Sequence, residues 1–225
     1  MATEVKIKEI FESIQGEGPY IGYKQLFIRF CECNLKCAYC DTDFAPNEGY
    51  TEFSANALLR YINDNYELDK IHSISLTGGE PLLSYIFLQE FLPLTNKKIY
   101  LETNGTLYKE LLEVKQYISI ISADIKLESA TGMDTMLLHE KFFANCEGVE
   151  TFAKIVFNEG ITEEEILRCT NLAKKYKMPL IIQPETKDNE IVMSSDFINL
   201  VTDKFMASYD NVRLIPQTHK FMGLE

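Results

Sequence analysis

The chain has 225 residues, of which 46% are hydrophobic and 12% aromatic, and this is enough apolar material for a substantial folded core. Its formal net charge is −12 and its isoelectric point is about 4.8, so neither nucleic acid nor an anionic membrane surface is expected as a main partner. No composition shift divides the sequence, and we predict one domain over residues 1–225.

The N-terminus lacks the apolar core of a secretory signal, and no stretch reaches the ~20 apolar residues of a membrane helix. We therefore expect a cytoplasmic protein. Four of the six cysteines lie close together, at Cys31, Cys33, Cys37 and Cys40. Without a secretory signal, such clustering favours metal ligation over disulfide bonds.

Short apolar runs alternate with amphipathic segments along the whole chain. The apolar runs are continuous, as in parallel strands that are covered on both faces. They predict strands at 5–11, 25–30, 71–76, 98–103, 118–125, 152–157, 179–184 and 211–216. The segments between them predict helices at 54–65, 82–94, 106–116, 162–177 and 194–206, the fourth of which starts with a Thr162–Glu165 capping box.

This alternation implies right-handed βαβ units and an α/β fold, either a barrel or an open sheet. The number of units favours an incomplete (βα)6-type, TIM-like barrel. Both architectures bind ligands at the carboxyl ends of their strands. Polar motifs follow five of the predicted strands, at Cys33, residues 77–80, residues 103–105, Lys126 and residues 183–185. We expect these motifs to form one site.

The cysteine loop carries the clearest chemical signal. Cys33, Cys37 and Cys40 have the spacing C-x3-C-x2-C, which can ligate three irons of a 4Fe–4S cluster and leave the fourth iron open for catalysis. The alternative is a structural zinc site with Cys31 as the fourth thiolate. Structural zinc usually takes two separated cysteine pairs, and Cys31 continues the alternation of the preceding strand, so the cluster is favoured.

The cysteine spacing and the GGEP motif at 78–81 together resemble the radical S-adenosylmethionine superfamily. The resemblance implies that S-adenosylmethionine chelates the open iron, and that an electron from the reduced cluster cleaves it to a 5′-deoxyadenosyl radical. A flavodoxin or ferredoxin would supply that electron. The cofactor contacts implied by these two motifs are Tyr39, Cys40, Asp41, Gly79 and Glu80.

Further motifs narrow the resemblance. They are FESIQGEG at 11–18, Arg29, Asp41-Thr42 and RLIPQTHKFMG at 213–223. With the cluster motif, they resemble the 7-carboxy-7-deazaguanine synthase family from about residue 9 to the C-terminus. This resemblance implies a carbon–nitrogen lyase that contracts 6-carboxy-5,6,7,8-tetrahydropterin to 7-carboxy-7-deazaguanine and releases ammonia, in queuosine or other 7-deazapurine biosynthesis. Members of the family usually form homodimers.

The same resemblance assigns roles by position. The implied substrate contacts are Ile14, Gln15, Gly16, Arg29, Thr77, His219 and Glu225. Thr42 would bind Mg²⁺ through its hydroxyl. Further S-adenosylmethionine contacts would be Asp124, Ile125, Lys126, Gln183, Pro184, Glu185 and Thr186. The chain departs from the family pattern at residues 124–125, where serine–proline is common, and at its terminal residue, where many relatives have proline.

Several alternatives stay open at the level of sequence. The QGEG segment could be a simple turn, Arg29 and Lys126 solvent-exposed strand ends, and Thr42 a turn cap. A radical activase acting on a partner protein would share the cysteine and GGEP motifs but lack SIQGEG and PQTHK. A non-catalytic zinc- or cluster-binding module would share only the cysteines. No motif surrounds His72 or His139, and no function is assigned to them or to Asn104.

Overall fold

A computed structural model describes residues 3–37 and 49–224. Its strands are β1 Glu4–Ile14, β2 Lys24–Phe30, β3 Thr51–Ser54, β4 Ser73–Gly78, β5 Ile99–Thr103, β6 Ile120–Asp124, β7 Glu150–Phe157, β8 Leu180–Pro184, β9 Thr186–Lys187, β10 Glu190–Ile191 and β11 Val212–Leu214. Its α-helices are α1 Ala55–Asn65, α2 Tyr85–Phe91, α3 Tyr108–Val114, α4 Glu128–Thr131, α5 Met136–Ala144, α6 Glu163–Tyr176, α7 Ser195–Ser208 and α8 Thr218–Met222.

Nine of these strands form one sheet in the order β11-β8-β7-β6-β5-β4-β2-β1-β3. The strands from β2 to β11 in that order run parallel, and a helix-containing connection joins each to the next. At one end of the sheet, β1 pairs antiparallel with β2, and β3 pairs antiparallel with β1. Within the described residues β3 and β11 do not pair, so the sheet does not close. The predicted α/β fold with an incomplete barrel is confirmed.

The predicted strands are all present, but several elements were not anticipated. β1 runs on to Ile14, three residues beyond its predicted end. The predicted helix 82–94 is α2 flanked by two 3-10 turns, because Pro81 and Pro93 interrupt regular helical hydrogen bonding. α5 was missed because its sequence, MLLHEKFFA, is apolar on most sides and shows no single hydrophobic stripe.

The interior of the barrel changes character along the strands. Near the strand starts, an apolar cluster contains Tyr100, Ile120, Phe152 and Ile181. Farther along the same strands the inward-facing residues become polar, including Glu102, Asp124, Lys154 and Gln183. The opposite face of the parallel strands packs under the helices in the main hydrophobic core. Burial on both faces explains why the strands are nearly continuous apolar runs, with polar residues confined to positions that face the interior.

The gap in the sheet is bridged by segments from the two ends of the chain. The connection between β1 and β2, residues 15–23, packs Tyr20 against Tyr100 with ring centroids 5.5 Å apart. The segment after β11 binds this connection, since the Thr218 amide donates to the Gly16 carbonyl at 3.0 Å. Among the described residues, no helix combines the length and apolar character needed to traverse a bilayer.

The capping box of α6 is present as predicted. The Thr162 hydroxyl accepts from the Glu165 amide at 3.2 Å, and the Glu165 carboxylate accepts from the Thr162 amide at 2.9 Å. Thr162→Ala should lower the free energy of unfolding by about 1 kcal/mol, because one amide at the helix start loses its acceptor. Chemical denaturation measures this change. Thr162→Ser keeps the acceptor and should remain near wild type; equal stability of the two variants would contradict the assignment.

Candidate active site

A cavity of about 200 Å³ opens at the carboxyl ends of the parallel strands. It is where the polar motifs were expected to converge. The predicted site residues that line it are Arg29, Cys33, Cys37, Thr77, Gly79, Asp124, Lys126, Gln183, Glu185 and Thr186. Motifs that are separated by up to about 150 residues in sequence therefore line one cavity. This is expected because ligands of parallel α/β folds bind at the carboxyl ends of the strands.

Other predicted residues surround the cavity without lining it. The side chains of Glu80 and Ile125 are buried, with 0% and 1% of the residue exposed. Ile125 belongs to the main core, so its side chain packs there and does not face the cavity. Gln15 and Pro184 are also buried. The predicted roles of Tyr39, Cys40, Asp41, Thr42 and Glu225 fall outside the described residues and stay predictions.

Two glycines hold the start of the cysteine loop against the end of β4. Gly78 has a φ of +115°, a conformation that favours glycine. A Cβ on Gly79 would lie 1.7 Å from the carbonyl oxygen of Glu32. The Gly79 amide donates to the Phe30 carbonyl at 3.1 Å, and the Glu80 amide donates to the Glu32 carbonyl at 2.8 Å. The GG pair thus brings the backbone before Cys33 into direct contact with β4.

The carboxylate of Glu80 joins the ends of β4 and β5. It accepts from the Leu82 amide at 3.1 Å, the Thr103 hydroxyl at 2.9 Å and the Asn104 amide at 2.7 Å. Burial raises the pKa of Glu80 to about 7, and these donors only partly offset that effect. In this arrangement Glu80 acts on the protein's own backbone. Its predicted contact with the ammonium group of S-adenosylmethionine stays a prediction.

Cys33 sits beside a small amide–hydroxyl network. The Asn104 side-chain amide donates to Asn34 at 2.8 Å and lies 3.9 Å from the Cys33 sulfur. Thr106 completes the network by donating to Asn104 at 2.6 Å and accepting from Asn34 at 2.9 Å. Burial raises the pKa of the Cys33 thiol, so binding of a metal there must release a proton. Cys31 is only 5% exposed and lies among the core hydrophobic residues, as its interpretation as a small apolar residue requires.

A group of paired charges forms another part of the wall. Lys154 is ion-paired with Glu17 and lies 3.4 Å from Asp124, whose other oxygen is 2.8 Å from Lys126. The side chains of Lys154, Glu17 and Asp124 are 5%, 14% and 25% exposed, so they are largely removed from water.

Lys154, Glu17 and Asp124 stay ionised because each lies beside an opposite charge. Burial alone would lower the pKa of Lys154, but Asp124 and Glu17 outweigh it and hold that pKa well above its ordinary value. Burial would raise the pKa of Glu17 and of Asp124, and their lysine partners reverse this effect. The wall is therefore charged but close to neutral as a whole.

Hydrogen bonds connect Gln15 to the floor of the cavity. The Gln15 amide donates to Glu102 at 2.8 Å, and the Thr77 hydroxyl donates to the other oxygen of Glu102 at 3.0 Å. Gln15 also accepts from the Glu17 amide at 2.9 Å. Two predicted substrate contacts, Gln15 and Thr77, are therefore joined through a carboxylate that the sequence did not single out.

Arg29 lines the cavity and is already ion-paired. Its Nε binds Glu9, and its guanidinium carbon lies 5.4 Å from the centre of the Phe11 ring. Its side chain is 20% exposed, so it is neither buried nor free in solvent. A substrate carboxylate could bind Arg29 through the remaining guanidinium nitrogens or by displacing Glu9.

The C-terminal segment packs on the QGEG segment. A Cβ on Gly16 would lie 2.5 Å from both Cβ and Nδ1 of His219, so only glycine permits this approach. The Thr218 hydroxyl donates to the Gly16 carbonyl at 2.8 Å, and the Gln217 amide donates to Glu17 at 2.8 Å. Burial lowers the pKa of His219, which favours the neutral imidazole. The structure thus brings together Gly16 and His219, two predicted substrate contacts from opposite ends of the sequence.

The far wall presents a polar group without a protein partner. Neither the nitrogen nor the oxygen of the Gln183 side-chain amide has a hydrogen-bond partner among the described residues, although the residue is 1% exposed. Its neighbour Glu185 accepts from Asn158 at 2.9 Å. A buried, unsatisfied amide in a cavity wall is the expected state of a ligand-binding group before the ligand binds.

These observations together fit an iron–sulfur cluster and S-adenosylmethionine. The thiols of Cys33 and Cys37 face one side of the cavity, and the side-chain-free surface of Gly79 lies next to them. The unsatisfied amide of Gln183 and the ammonium group of Lys126 offer further polar contacts in the same cavity. Soft thiolates suit the cluster, and the mixed charges suit a zwitterionic methionine group.

Some residues of the site were missed in the sequence, and they are Glu17, Glu102, Lys154, Gln217 and Lys220. Asn104 belongs to the 103–105 motif that was expected at the site, but its role was left unassigned. For some of these residues, the sequence contains a feature that could have identified them. Glu17 and Gln217 lie inside motifs that were recognised, and Lys154 is a lysine within the apolar run FAKIVF, where a charge has to find a partner. No local signal identifies Glu102 as an interior residue of β5.

The Gly79 contact predicts a specific defect in metal binding. Gly79→Ala should lower the iron bound per chain after anaerobic cluster assembly, because the backbone of Glu32 has to move and carries Cys33 with it. Gly148→Ala is the control: Gly148 has a φ of +87°, which makes the substitution strained, but a Cβ there meets nothing within 4 Å. The control should lose some stability and keep its iron. Full iron content in Gly79→Ala would show that the contact is not needed.

The buried charges predict a second, energetic outcome. Lys154→Met should lower the free energy of unfolding by about 3 kcal/mol, because Glu17 and Asp124 lose their shared counter-ion. Adding Glu17→Gln should restore part of this loss, since one unpaired charge is removed. Lys175→Met breaks the exposed pair with Glu140 and should change stability little. A double variant no more stable than Lys154→Met would contradict charge pairing as the cause.

Comparisons with known proteins agree with this site. Residues 27–198 match the family profile of the Radical SAM superfamily. The chain is 35% identical to a 7-carboxy-7-deazaguanine synthase of Geobacter sulfurreducens, over 97% of both chains. It is 34% identical to the enzyme of that name from Archaeoglobus fulgidus, over 96% of this chain and 97% of the relative.

A solved structure shares the fold. The crystal structure of QueE from Escherichia coli superimposes with a TM-score of 0.64 at 20% identity, covering 96% of this chain and 95% of that one. The extent of the profile match and the identity over nearly full length show that the chain belongs to the radical S-adenosylmethionine superfamily and, within it, to the 7-carboxy-7-deazaguanine synthase family.

Proposed function

We propose that this chain contracts the ring of 6-carboxy-5,6,7,8-tetrahydropterin to give 7-carboxy-7-deazaguanine and ammonia, as a carbon–nitrogen lyase of queuosine or other 7-deazapurine biosynthesis. One observation carries the proposal beyond family membership. A single cavity joins the cysteine loop and the GGE turn to the QGE and QTH segments, which come from opposite ends of the chain. Superfamily chemistry and the family-specific segments thus meet at one place.

Membership of the superfamily implies a 4Fe–4S cluster and S-adenosylmethionine. When bound, they supply the radical that starts the reaction. We infer that Cys33 and Cys37, with Cys40, ligate the cluster. Gly79 leaves room for S-adenosylmethionine beside the cluster. Lys126 and residues 183–186 would bind its polar groups, and among them the amide of Gln183 has no protein partner within the described residues.

The floor of the cavity suits a flat heterocycle with hydrogen-bonding edges. Glu102 presents acceptor oxygens next to the Thr77 hydroxyl, and Gln15 holds this carboxylate in place by donating to it from outside the cavity. Arg29 would bind the substrate carboxylate through its guanidinium fork. His219, held against Gly16, would close the substrate side. These contacts orient the ring; none of them has to take part in bond cleavage.

The ion pairs limit which residues can transfer protons. Lys154 has a pKa well above its ordinary value because Asp124 and Glu17 stabilise its charge, so it stays protonated at neutral pH. It therefore acts as a fixed positive charge in the wall. The neutral imidazole of His219 is better suited to exchange a proton with the substrate or with the ammonia that leaves, because burial lowers its pKa.

Several finer features belong to the same proposal. Thr42 would contribute its hydroxyl to a Mg²⁺ ion whose other ligands are substrate oxygens and water. A flavodoxin or ferredoxin would deliver the electron to the cluster. We further propose that residues 1–225 form one radical S-adenosylmethionine domain, and that the enzyme works as a homodimer in the cytoplasm.

An anaerobic turnover assay tests the function. The cluster-loaded protein, supplied with S-adenosylmethionine, Mg²⁺, a reductant and 6-carboxytetrahydropterin, should form equal amounts of ammonia and 7-carboxy-7-deazaguanine, measured by mass spectrometry. Cys33→Ala should lose both iron and product. The matched control is Cys146→Ala. Cys146 is a buried cysteine whose thiol donates a hydrogen bond to the Phe142 carbonyl, and it does not line the cavity. This variant should keep both.

The other outcomes reject the proposal in identifiable ways. Iron-loaded protein that cleaves S-adenosylmethionine but releases no ammonia from the pterin is a radical enzyme with another substrate. A glycyl radical appearing on an added protein would point to an activase. Zinc without iron after anaerobic isolation would point to a non-catalytic module. Turnover that is unchanged by metal chelation and by Thr42→Ala would remove Mg²⁺ from the mechanism.

A further inference from the structure

His139 is a fully buried histidine that the proposed reaction does not use. It lies on α5, on the outer side of the sheet, and 0% of the residue is exposed. Its imidazole faces the loops that follow β5 and β6, the two loops that carry Asn104 and Lys126 to the cavity. A polar ring enclosed in this way needs a partner for each nitrogen, and both nitrogens have one.

The partners fix the protonation of the ring. Nδ1 is 3.0 Å from the carbonyl oxygen of Gly105, which can only accept, so Nδ1 carries the proton. Nε2 is 3.0 Å from the amide of Lys126, which can only donate, so Nε2 is the acceptor. Burial lowers the pKa of His139 to about 4, which keeps this neutral form at physiological pH.

Thr135 completes the attachment of Lys126 to α5. Its hydroxyl lies 2.9 Å from Nε2 of His139 and donates to the Lys126 carbonyl at 3.0 Å. Both main-chain polar groups of Lys126 are therefore held by side chains from the start of α5. The Lys126 ammonium group then lies 2.8 Å from Asp124, on the cavity wall.

The same ring reaches the cluster side of the site. Gly105 follows Asn104, whose side-chain amide lies 3.9 Å from the sulfur of Cys33. A Cβ on Gly105 would be 3.2 Å from Nδ1 of His139, so the loop packs closely on the imidazole. One side chain thus sets the spacing between the loop beside the cysteine and the loop that bears Lys126.

We propose that His139 is a positioning residue for S-adenosylmethionine binding: it holds the main chain at Gly105 and Lys126 so that Asn104 and Lys126 face the cofactor. The inference rests on the proposed cofactor role of this cavity, but not on the identity of the substrate. It adds to the site a residue from α5, a helix whose role the sequence motifs do not indicate.

Three variants separate positioning from stability. His139→Phe fills the space and removes both hydrogen bonds to the loops. His139→Gln keeps one donor and one acceptor. Phe142→Leu changes another fully buried residue of α5 and serves as the control for loss of packing. Each is prepared as cluster-loaded protein, and its iron content and melting temperature are recorded first.

The deciding measurement is the affinity for S-adenosylmethionine, from the change in the electron paramagnetic resonance spectrum of the reduced cluster on titration. His139→Phe should keep its iron but bind S-adenosylmethionine roughly 10-fold more weakly, the scale seen when a group supporting a ligand-binding residue is lost. The KM for S-adenosylmethionine should rise more than kcat falls. His139→Gln should recover most of the affinity, and Phe142→Leu should bind like wild type.

Other results overturn the inference. Wild-type affinity in His139→Phe, or an equal loss in Phe142→Leu, would reduce His139 to a structural residue. If His139→Phe does not fold, Thr135→Val carries the test, because it removes the hydroxyl that holds the Lys126 carbonyl, and unchanged affinity in that variant would be equally negative. Weaker cofactor binding without any pterin turnover in wild type would reject the proposed substrate and leave the role of His139 intact.

Discussion

The close contact between Gly79 and the carbonyl of Glu32 is the constraint on which the rest of the site depends. A side chain at position 79 would occupy the space of that carbonyl, so the cysteine loop can approach β4 only because none is present. The next residue, Glu80, turns back and binds the end of β5. One short turn therefore sets the relative positions of β4, β5 and the backbone that leads to Cys33, which are the elements that a cluster and its cofactor must share.

The polar interior is stable because its charges are paired before any ligand arrives. Lys154 alone would be costly to bury, but it lies between Glu17 and Asp124, and Asp124 also pairs with Lys126. Such a wall contributes less to folding than an apolar one. In return, it presents fixed charges that do not have to reorganise when a zwitterionic cofactor binds. The apolar cluster around Tyr100 and Phe152 supports this wall from below.

The sequence predicts the strands and the motifs that follow them, but it does not predict contacts between residues that are far apart along the chain. Each parallel strand is buried on both faces, so apolar runs identified all of them, and the motifs after the strands located Thr77 and Lys126. The helix α5 escaped because buried residues such as His139 and Phe142 leave no polar face to mark its period. The Lys154–Glu17 pair joins residues 137 positions apart, and nothing near either residue specifies the other. The pair forms only because the segment after β1 bridges the gap in the incomplete barrel and brings Glu17 to β7.

The two halves of the cavity also differ in how far apart their residues lie along the chain. The wall that would hold the cluster and S-adenosylmethionine is built largely from consecutive units, β2, β4, β5 and β6, whose loops follow one another along the sheet. The wall that would hold the substrate forms where the chain's two ends meet, through Gly16, Glu17, Gln217 and Thr218. Changes in the end segments can alter the substrate wall without disturbing the strands that carry the cluster. An incomplete barrel thus allows a shared radical chemistry to be combined with a specificity set by the segments that bridge its gap.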